Sequence, residues 1–371
     1  TYFRILSGTL TSDSHLWNPT RGEDERLGTL YVQRGKEQSP ATELTAGDIG
    51  VVAKLTSTAT GDTLAPKDAG IVLPAIRFPS PVFSMAVRPA SKAAVDKLGP
   101  SLQRLLEEDP GLQLTRDQAS GEVILSGLGD AHIDVTIERL KRKFNVDVEL
   151  SLPRVPYLET VTKSSSADYT HKKQTGGHGQ YGRVAIELSP LPRGSGVQFS
   201  EKVVGGSVPR EFIGAVEKGV RETTREGVIA GYELTDCAVV LYDGKHHPVD
   251  SSEMSFKLAA SQALKEAVQS AAPVLLEPIM KIRVVAPEAN AGDVVSDLNT
   301  KRAKILGILP EAGSSVIEAE VPQAEAQRYA ADLRSVTQGR GGFTMEFDHY
   351  AEVPSHLSQR VIDEAKKAAE A

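Results

Sequence analysis

Val82-Phe83-Ser84-Met85-Ala86-Val87, followed by Val95, Leu98, Leu102 and Leu105, is the stretch on which the fold turns, because the apolar period changes inside it. Side chains alternate across a strand but return to one face of a helix every three or four residues, so the run predicts a strand and then a helix. Further along come strands at 112–115 and 123–125, a helix with Ile133, Ile137, Leu140 and Phe144 on one face, and a strand at 146–150. The order β-α-β-β-α-β over residues 79–152 predicts a split, ferredoxin-like sandwich.

The same order returns over 274–350: a strand at 279–285, a helix carrying Val294, Val295 and Leu298, strands at 305–309 and 315–321, a helix around 326–333 and a strand at 343–347. No residue-level repeat accompanies it, so two βαββαβ domains describe the chain better than a solenoid. Residues 1–78 hold short β-type runs such as Leu30-Tyr31-Val32 and Ile49-Gly50-Val51-Val52-Ala53, set between turns at Asn18-Pro19, Gly47-Asp48 and Gly61-Asp62. They predict a small β-barrel, with Phe78-Pro79-Ser80-Pro81 as its linker outward. Tyr2-Phe3-Arg4-Ile5-Leu6 reads as a strand already in progress and the chain starts without Met, so a preceding segment is expected. Residues 153–273 differ, with strands at 157–162, 184–188 and 237–242 framing two helices. The first helix is expected to start at Pro209 and to carry Phe212, Val216 and Val220; the second carries Phe256, Ala260, Ala263 and Ala267. A C-terminal helix is expected over 351–371, which makes the whole a multidomain α+β chain.

The 371 residues are 40% hydrophobic and 25% charged, the balance of a folded chain too long for one compact domain. No stretch reaches the roughly 20 apolar residues that cross a bilayer, and no secretory signal opens the chain, which gives a cytoplasmic reading without a membrane. The single cysteine, Cys237, excludes an internal disulfide and a Cys-based zinc cage, and reads as a small buried hydrophobe. A net charge of −7 argues against a surface that faces phosphate everywhere. Residues 153–273, however, balance 14 basic against 14 acidic side chains, so a local RNA contact stays open there. No Gly-x-x-x-x-Gly-Lys-Ser/Thr loop, dinucleotide turn or Gly-x-Ser-x-Gly elbow occurs, and no catalytic residue is assigned.

Three polar loops stand out. Lys172-Lys173-Gln174-Thr175-Gly176-Gly177-His178-Gly179-Gln180-Tyr181-Gly182 sets four glycines in seven residues between two strands. Glycine allows close backbone approach, the lysines attract phosphate, Gln174 and Gln180 can hydrogen-bond bases, and Tyr181 can stack, all of which suits structured RNA. A hairpin whose glycines serve only turn geometry has the same composition, and both readings stand.

In Asp243-Gly244-Lys245-His246-His247-Pro248-Val249-Asp250-Ser251-Ser252-Glu253, the Asp250 and Glu253 spacing predicts a capping box for the next helix. His246 and His247 could exchange protons or bind metal, as a stand-alone enzyme using them with Asp250 would require. Adjacent residues on an extended loop point apart, though, and contact with phosphate or base edges fits better. The third loop, Asp332-Leu333-Arg334-Ser335-Val336-Thr337-Gln338-Gly339-Arg340-Gly341-Gly342, can grip a phosphate backbone through arginine forks, or can simply be a helix end with a glycine stop. Lys301, Arg302 and Lys304 form a further basic cluster, read as a solvated face.

These motifs together resemble elongation factor G, the translational GTPase that drives tRNA and mRNA through the ribosome. The resemblance is carried by Gln174–Gly182, by Val249-Asp250-Ser251-Ser252-Glu253, by Leu276-Glu277-Pro278-Ile279-Met280, and by Asp332–Gly341 with Phe347-Asp348-His349-Tyr350. Ser7-Gly8-Thr9-Leu10, Thr60-Gly61-Asp62-Thr63-Leu64, Glu107-Glu108-Asp109-Pro110 and Ser126-Gly127-Leu128-Gly129 add to it. It implies domains II to V: a β-barrel (1–78, its first strand missing), a ferredoxin-like domain (79–152), an elongated S5-like α+β domain (153–273) and a second ferredoxin-like domain (274–350). A last helix (351–371) would return toward the fourth domain.

The resemblance places GTP and Mg on a preceding domain and no cofactor or metal in this chain. It makes Lys172, Lys173, Gln174, Gly176, Gly177, His178, Gln180, Tyr181, His246, His247, Asp250 and Ser251 the RNA-binding tip, which enters the small-subunit decoding site beside tRNA and mRNA as a pawl. His247 matches the family's tip histidine. Arg334, Gln338 and Arg340 would lie near the large-subunit sarcin–ricin RNA of the ribosome, and the chain would act as a monomer. His178 stands where bacterial members usually carry Arg or Ser, His246 where an aromatic residue is common, and Pro248 where an acidic one is usual. Asp130-Ala131-His132-Ile133-Asp134 departs from the usual Glu-Leu-His-Leu-Glu. A ribosome-recycling, ribosome-protection or other paralogue therefore stays open beside the translocase, as does a stand-alone RNA-binding protein. Histidines at the tip would add charge as pH falls toward about 6.5 and tighten RNA contact.

Overall fold

The computed structural model describes residues 1–117, 120–174 and 179–370. It divides into two compact units, one of Thr1–Arg116 with Val123–Ser151 and one of Asp117–Glu122 with Leu152–Ala371.

In the first unit, short antiparallel strands wrap a small core. Tyr2–Arg4, Ile49–Val51, Leu30–Arg34 and Glu37–Ala41 form one sheet, while Thr9–Thr11 pairs with Glu43–Thr45 and His15–Asn18 with Glu23–Arg26. Ile5, Leu27, Leu30, Leu44 and Val52 are buried inside. The following sheet runs in the order Gln113–Arg116, Val123–Gly127, Phe83–Pro89, Val148–Ser151, the ferredoxin-like order expected from the apolar period. Helices Lys92–Glu108 and Asp130–Phe144 accompany it. Leu98, Leu102 and Leu105 are buried as expected, whereas Val95 is exposed. On the second helix the buried stripe is Ile133, Thr136 and Leu140; Thr136 fits there because its hydroxyl donates to His132 O at 2.7 Å. Asn145 ends that helix in the left-handed region, φ 53°.

The second unit opens with a sheet of Ser165–Lys173, Gln180–Pro190, Cys237–Lys245 and Val197–Glu201. Its last two strands run parallel, joined through the helix Arg210–Glu226. Pro209 is the residue before that helix rather than its first turn, a one-place correction that still exploits its lack of an N–H. The helix Glu253–Ser270 lays Phe256, Ala260, Ala263 and Ala267 on the core with Val216 and Val220. Cys237 is buried there, and burial pushes its thiol up to about 12, so it is an inert hydrophobe.

The two helices approach closely at Gly219, where a Cβ would stand 2.4 Å from Lys257 O. Backbone cannot yield as a side chain can, so Gly219→Ala is expected to cost about 2 kcal/mol, read as an earlier thermal transition of this unit. A transition at the wild-type temperature would contradict that packing.

The second ferredoxin-like sheet runs Gly342–Glu352, Pro273–Pro287, Ser314–Pro322, Lys304–Glu311, and the start of its 15-residue strand also pairs with Leu158–Val161. Helix Ala291–Thr300 covers it together with Gln323–Ala326 and Tyr329–Thr337, two short helices where one was expected. The basic cluster is paired with acidic side chains, Lys301 and Arg302 partly buried and Lys304 exposed. Arg302 grips the buried Glu277 through two bonds of 2.8 Å, Lys301 pairs with Asp297 and Asp332, and Lys304 with Glu320. The C-terminal helix Ser355–Glu370 seats Leu357, Val361 and Ile362 on Leu275, Tyr157, Ile229, Ala230 and Tyr232. Among the described residues no helix is long and apolar enough to cross a membrane.

Candidate nucleic-acid interface

Strands Ser165–Lys173, Gln180–Pro190 and Cys237–Lys245 are in register so that Lys173 faces Gln180 and Arg183 faces Lys245. The loops leaving Lys173 and Lys245 therefore emerge at one end of the sheet. The base of this end is braced by Arg183, whose guanidinium grips Asp168 in a bidentate pair and reaches Asp243 at 3.2 Å. The Asp168 hydrogen bond holds the guanidinium charge far above its ordinary range, and Asp243 is lowered first by its bond from the Gly244 amide.

The two loops are stitched together by backbone. Tyr181 N donates to Asp250 O at 2.8 Å, Gly179 N donates to Asp250 Oδ1 at 3.0 Å, and Ser251 Oγ donates to Tyr181 O at 2.9 Å. The approach is close: a Cβ at 179 would lie 3.1 Å from the Asp250 carboxyl carbon, and one at 182 would lie 3.1 Å from the Ser255 backbone. The Tyr181 and His247 rings meet edge to face, with centroids 6.2 Å apart.

This geometry divides the expected site residues. Lys172, Lys173, Gln174, His246 and His247 are exposed at the shared end, with Lys245 beside them. Asp250 and Ser251 are spent on the stitching, and the Gln180 amide oxygen is engaged by His171 Nε2 at 3.0 Å. Tyr181 is half-buried. Gly176, Gly177 and His178 lie outside the described residues.

The expected capping box is corrected: Ser252 is the residue before the helix and accepts from Ser255 N, while the Asp250 carboxylate is turned away to Gly179. His171, Asp168 and Arg183 were not singled out from the sequence; only the strand register brings them to this end. Among the described residues, no three His, Cys, Asp or Glu side chains converge as a metal ion needs.

A second exposed group closes the helix Tyr329–Thr337. Gln338 takes φ 54°, Gly339 N donates to Arg334 O at 2.9 Å, and Thr337 Oγ1 accepts from Gly341 N at 2.9 Å. Arg334, Gln338 and Arg340 are all exposed around this turn, and the Arg340 guanidinium donates to Thr337 O at 3.4 Å. The two groups present cations and amides, and among the described residues no acidic side chain is in hydrogen-bond reach of Arg340.

Four family models match the chain. They are described as elongation factor G domain 2 over residues 1–67, domain III over 78–152, domain IV over 153–272, and the elongation factor G C-terminus over 274–361. Among solved structures, the chain is similar to a crystal structure of a protein from Thermus thermophilus, with 39% identity and a TM-score of 0.82. That match covers 99% of this chain and 55% of the other, so the chain spans about half the length of the structure it resembles.

Proposed function

The chain belongs to the elongation factor G family, a translation elongation factor-like protein, and from that premise we propose that its two-loop end is the surface that engages ribosomal RNA during movement of tRNA and mRNA. The observation that carries the reading is the stitching of the loop after Lys173 to the loop after Lys245, which presents Lys172, Lys173, Gln174, His246 and His247 together. Cations and planar donors held on a stiff base suit a phosphate backbone and exposed base edges. No bond is made or broken at this end. Its action is to occupy space, and rigidity is what that requires.

In this proposal Arg334, Gln338 and Arg340 meet large-subunit RNA in the sarcin–ricin region, while the first group meets the small-subunit decoding site. GTP and Mg belong to a further domain of the whole factor, and neither loop group holds them. The factor works in the cytoplasm as a monomer.

The test is co-sedimentation of the chain with ribosomes at increasing salt. Affinity is expected to fall at least tenfold between about 50 and about 200 mM monovalent salt, because each phosphate contact releases counterions. Replacing both Lys172 and Lys173 by alanine should make the log–log slope shallower by about one to two. Absent or salt-insensitive binding would refute the reading.

A further inference from the structure

Among the described residues, His247 is held at one ring nitrogen only. Its Nδ1 lies 3.3 Å from Val249 N and 3.2 Å from Asp250 N, both of which are amide donors. A side-chain acceptor that takes the amides two and three residues on is the arrangement by which Asp, Asn, Ser and Thr close a turn. Imidazole can fill that place only with an unprotonated Nδ1, which leaves the ring proton on Nε2.

The turn is also secured from outside the ring. Ser251 Oγ accepts from His247 N at 2.8 Å, and Ser251 N donates to His247 O at 3.2 Å. Asp250 anchors the turn to the other loop through Gly179 N and Tyr181 N. One group favours the opposite arrangement, the Asp250 Oδ2 at 3.4 Å from Nδ1. That is one longer contact set against two amides at 3.2 and 3.3 Å, and Oδ1 of the same carboxylate is already committed to Gly179, so the two amides prevail. The ring is half exposed, at 50%, and its edge meets Tyr181.

We infer that His247 is locked as the Nε2–H tautomer by its own turn, so that it offers the ribosome one fixed hydrogen-bond donor, with Asp250 as the residue that positions it. The inference rests on the RNA-facing reading above and names what His247 selects: an acceptor atom of RNA rather than a donor. Asn at this position would still close the turn through Oδ1, but its Nδ2 would stand where the ring has Cδ2, one bond short of the outward Nε2–H.

The whole chain, labelled with nitrogen-15 in its histidines and backbone, is studied by long-range proton–nitrogen correlation at pH about 8, above the ordinary imidazole range of about 6.5. A protonated Nε2 with a bare Nδ1 for His247, and slowly exchanging amides at Val249 and Asp250, is the expected result. A proton on Nδ1, or averaging between tautomers, overturns it. In H247N the two amides should stay protected while ribosome affinity falls about tenfold, the loss of one hydrogen bond to a polar or charged acceptor. The salt slope should be unchanged in H247N, because a neutral donor releases no counterion; a shallower slope would mean that the ring binds as a cation and would overturn the single-proton tautomer. Wild-type affinity in H247N overturns the donor role. Failure of the unaltered chain to bind ribosomes refutes the proposed function instead, and the tautomer is still decided by the nitrogen spectrum.

Discussion

Glu159→Gln is expected to cost the second unit about 4 kcal/mol and to release the loop at 227–232, a loss at the upper end of what one substitution does. Glu159 is fully buried on the strand Leu158–Val161, and its carboxylate accepts four backbone amides. Oε2 takes Val228 N at 2.6 Å and Ile229 N at 2.9 Å; Oε1 takes Ala230 N at 2.8 Å and Tyr232 N at 3.2 Å. Replacing both partners of a buried polar pair by apolar groups can be nearly neutral. That escape is closed at this position, because the partners are main-chain N–H groups that no substitution removes.

Glutamine keeps the volume but turns an NH2 toward donors, so two of the four amides lose their acceptor in a dry site. The loop cannot move aside to find water without disturbing Gly227, which sits at φ 71° where a Cβ would lie 2.2 Å from Tyr232 O. Ile229, Ala230 and Tyr232 are also part of the seat of the C-terminal helix, so the damage spreads there. Calorimetry should show the unit melting earlier, and limited proteolysis should cut the Ser355–Glu370 helix faster. Unchanged melting within about 0.5 kcal/mol would mean that water replaces the carboxylate at little cost.

Such a carboxylate is invisible in the sequence, and the reason is general to this chain. The βαββαβ segments were legible because Leu98, Leu102 and Leu105, or Ile282 and Val284, repeat at the period of the element that buries them. Ser165–Lys173 was missed because it is an edge strand: only Ala167 and Tyr169 turn toward the core, and the remainder is polar. Glu23–Arg26 carries no apolar residue at all and is a strand because His15–Asn18 pairs with it.

The site shows the same division. Its exposed lysines and histidines were legible as composition. The stitching was not, since Asp250 meets Gly179 across 71 positions of chain. Asp250 and Ser252 both have capping chemistry, and the contact with Gly179 decides which of them caps. Basic residues at 301, 302 and 304 look the same on paper as those at 172 and 173. Tertiary acids draw Lys301 and Arg302 partly into the fold, whereas Lys304, Lys172 and Lys173 stay exposed.

Acid should unfold the first barrel early, and Glu25 is the residue that makes it do so. Glu25 is 2% exposed, and its carboxylate collects six donors from a segment that belongs to no strand. Thr56 N and Oγ1 donate to Oε1; Ser57 N and Oγ with Thr58 N and Oγ1 donate to Oε2, at 2.8 to 3.2 Å. Burial is the largest single influence and would raise the pKa. The hydrogen bonds together outweigh it and bring it from 4.5 down to about 2.

A folded pKa below the unfolded one adds stability that is fully present above about 4.5 and is lost as pH falls toward about 2. The gap corresponds to about 3 kcal/mol. Asp62, also lowered, with burial outweighed by bonds from Ala59, Asn18 and Arg21, titrates in the same sense, so wild type alone cannot isolate Glu25. E25Q can. It should lower the barrel's stability by about 3 kcal/mol near neutral pH and converge on wild type near pH 2, because a protonated Glu25 has lost the same advantage. The chain's one tryptophan, Trp17, pairs with Asp24 across the strand that carries Glu25, so its fluorescence in urea reads this barrel. A difference between E25Q and wild type that stayed constant from about pH 7 to about pH 2 would show that Glu25 holds the segment by shape rather than by its charge.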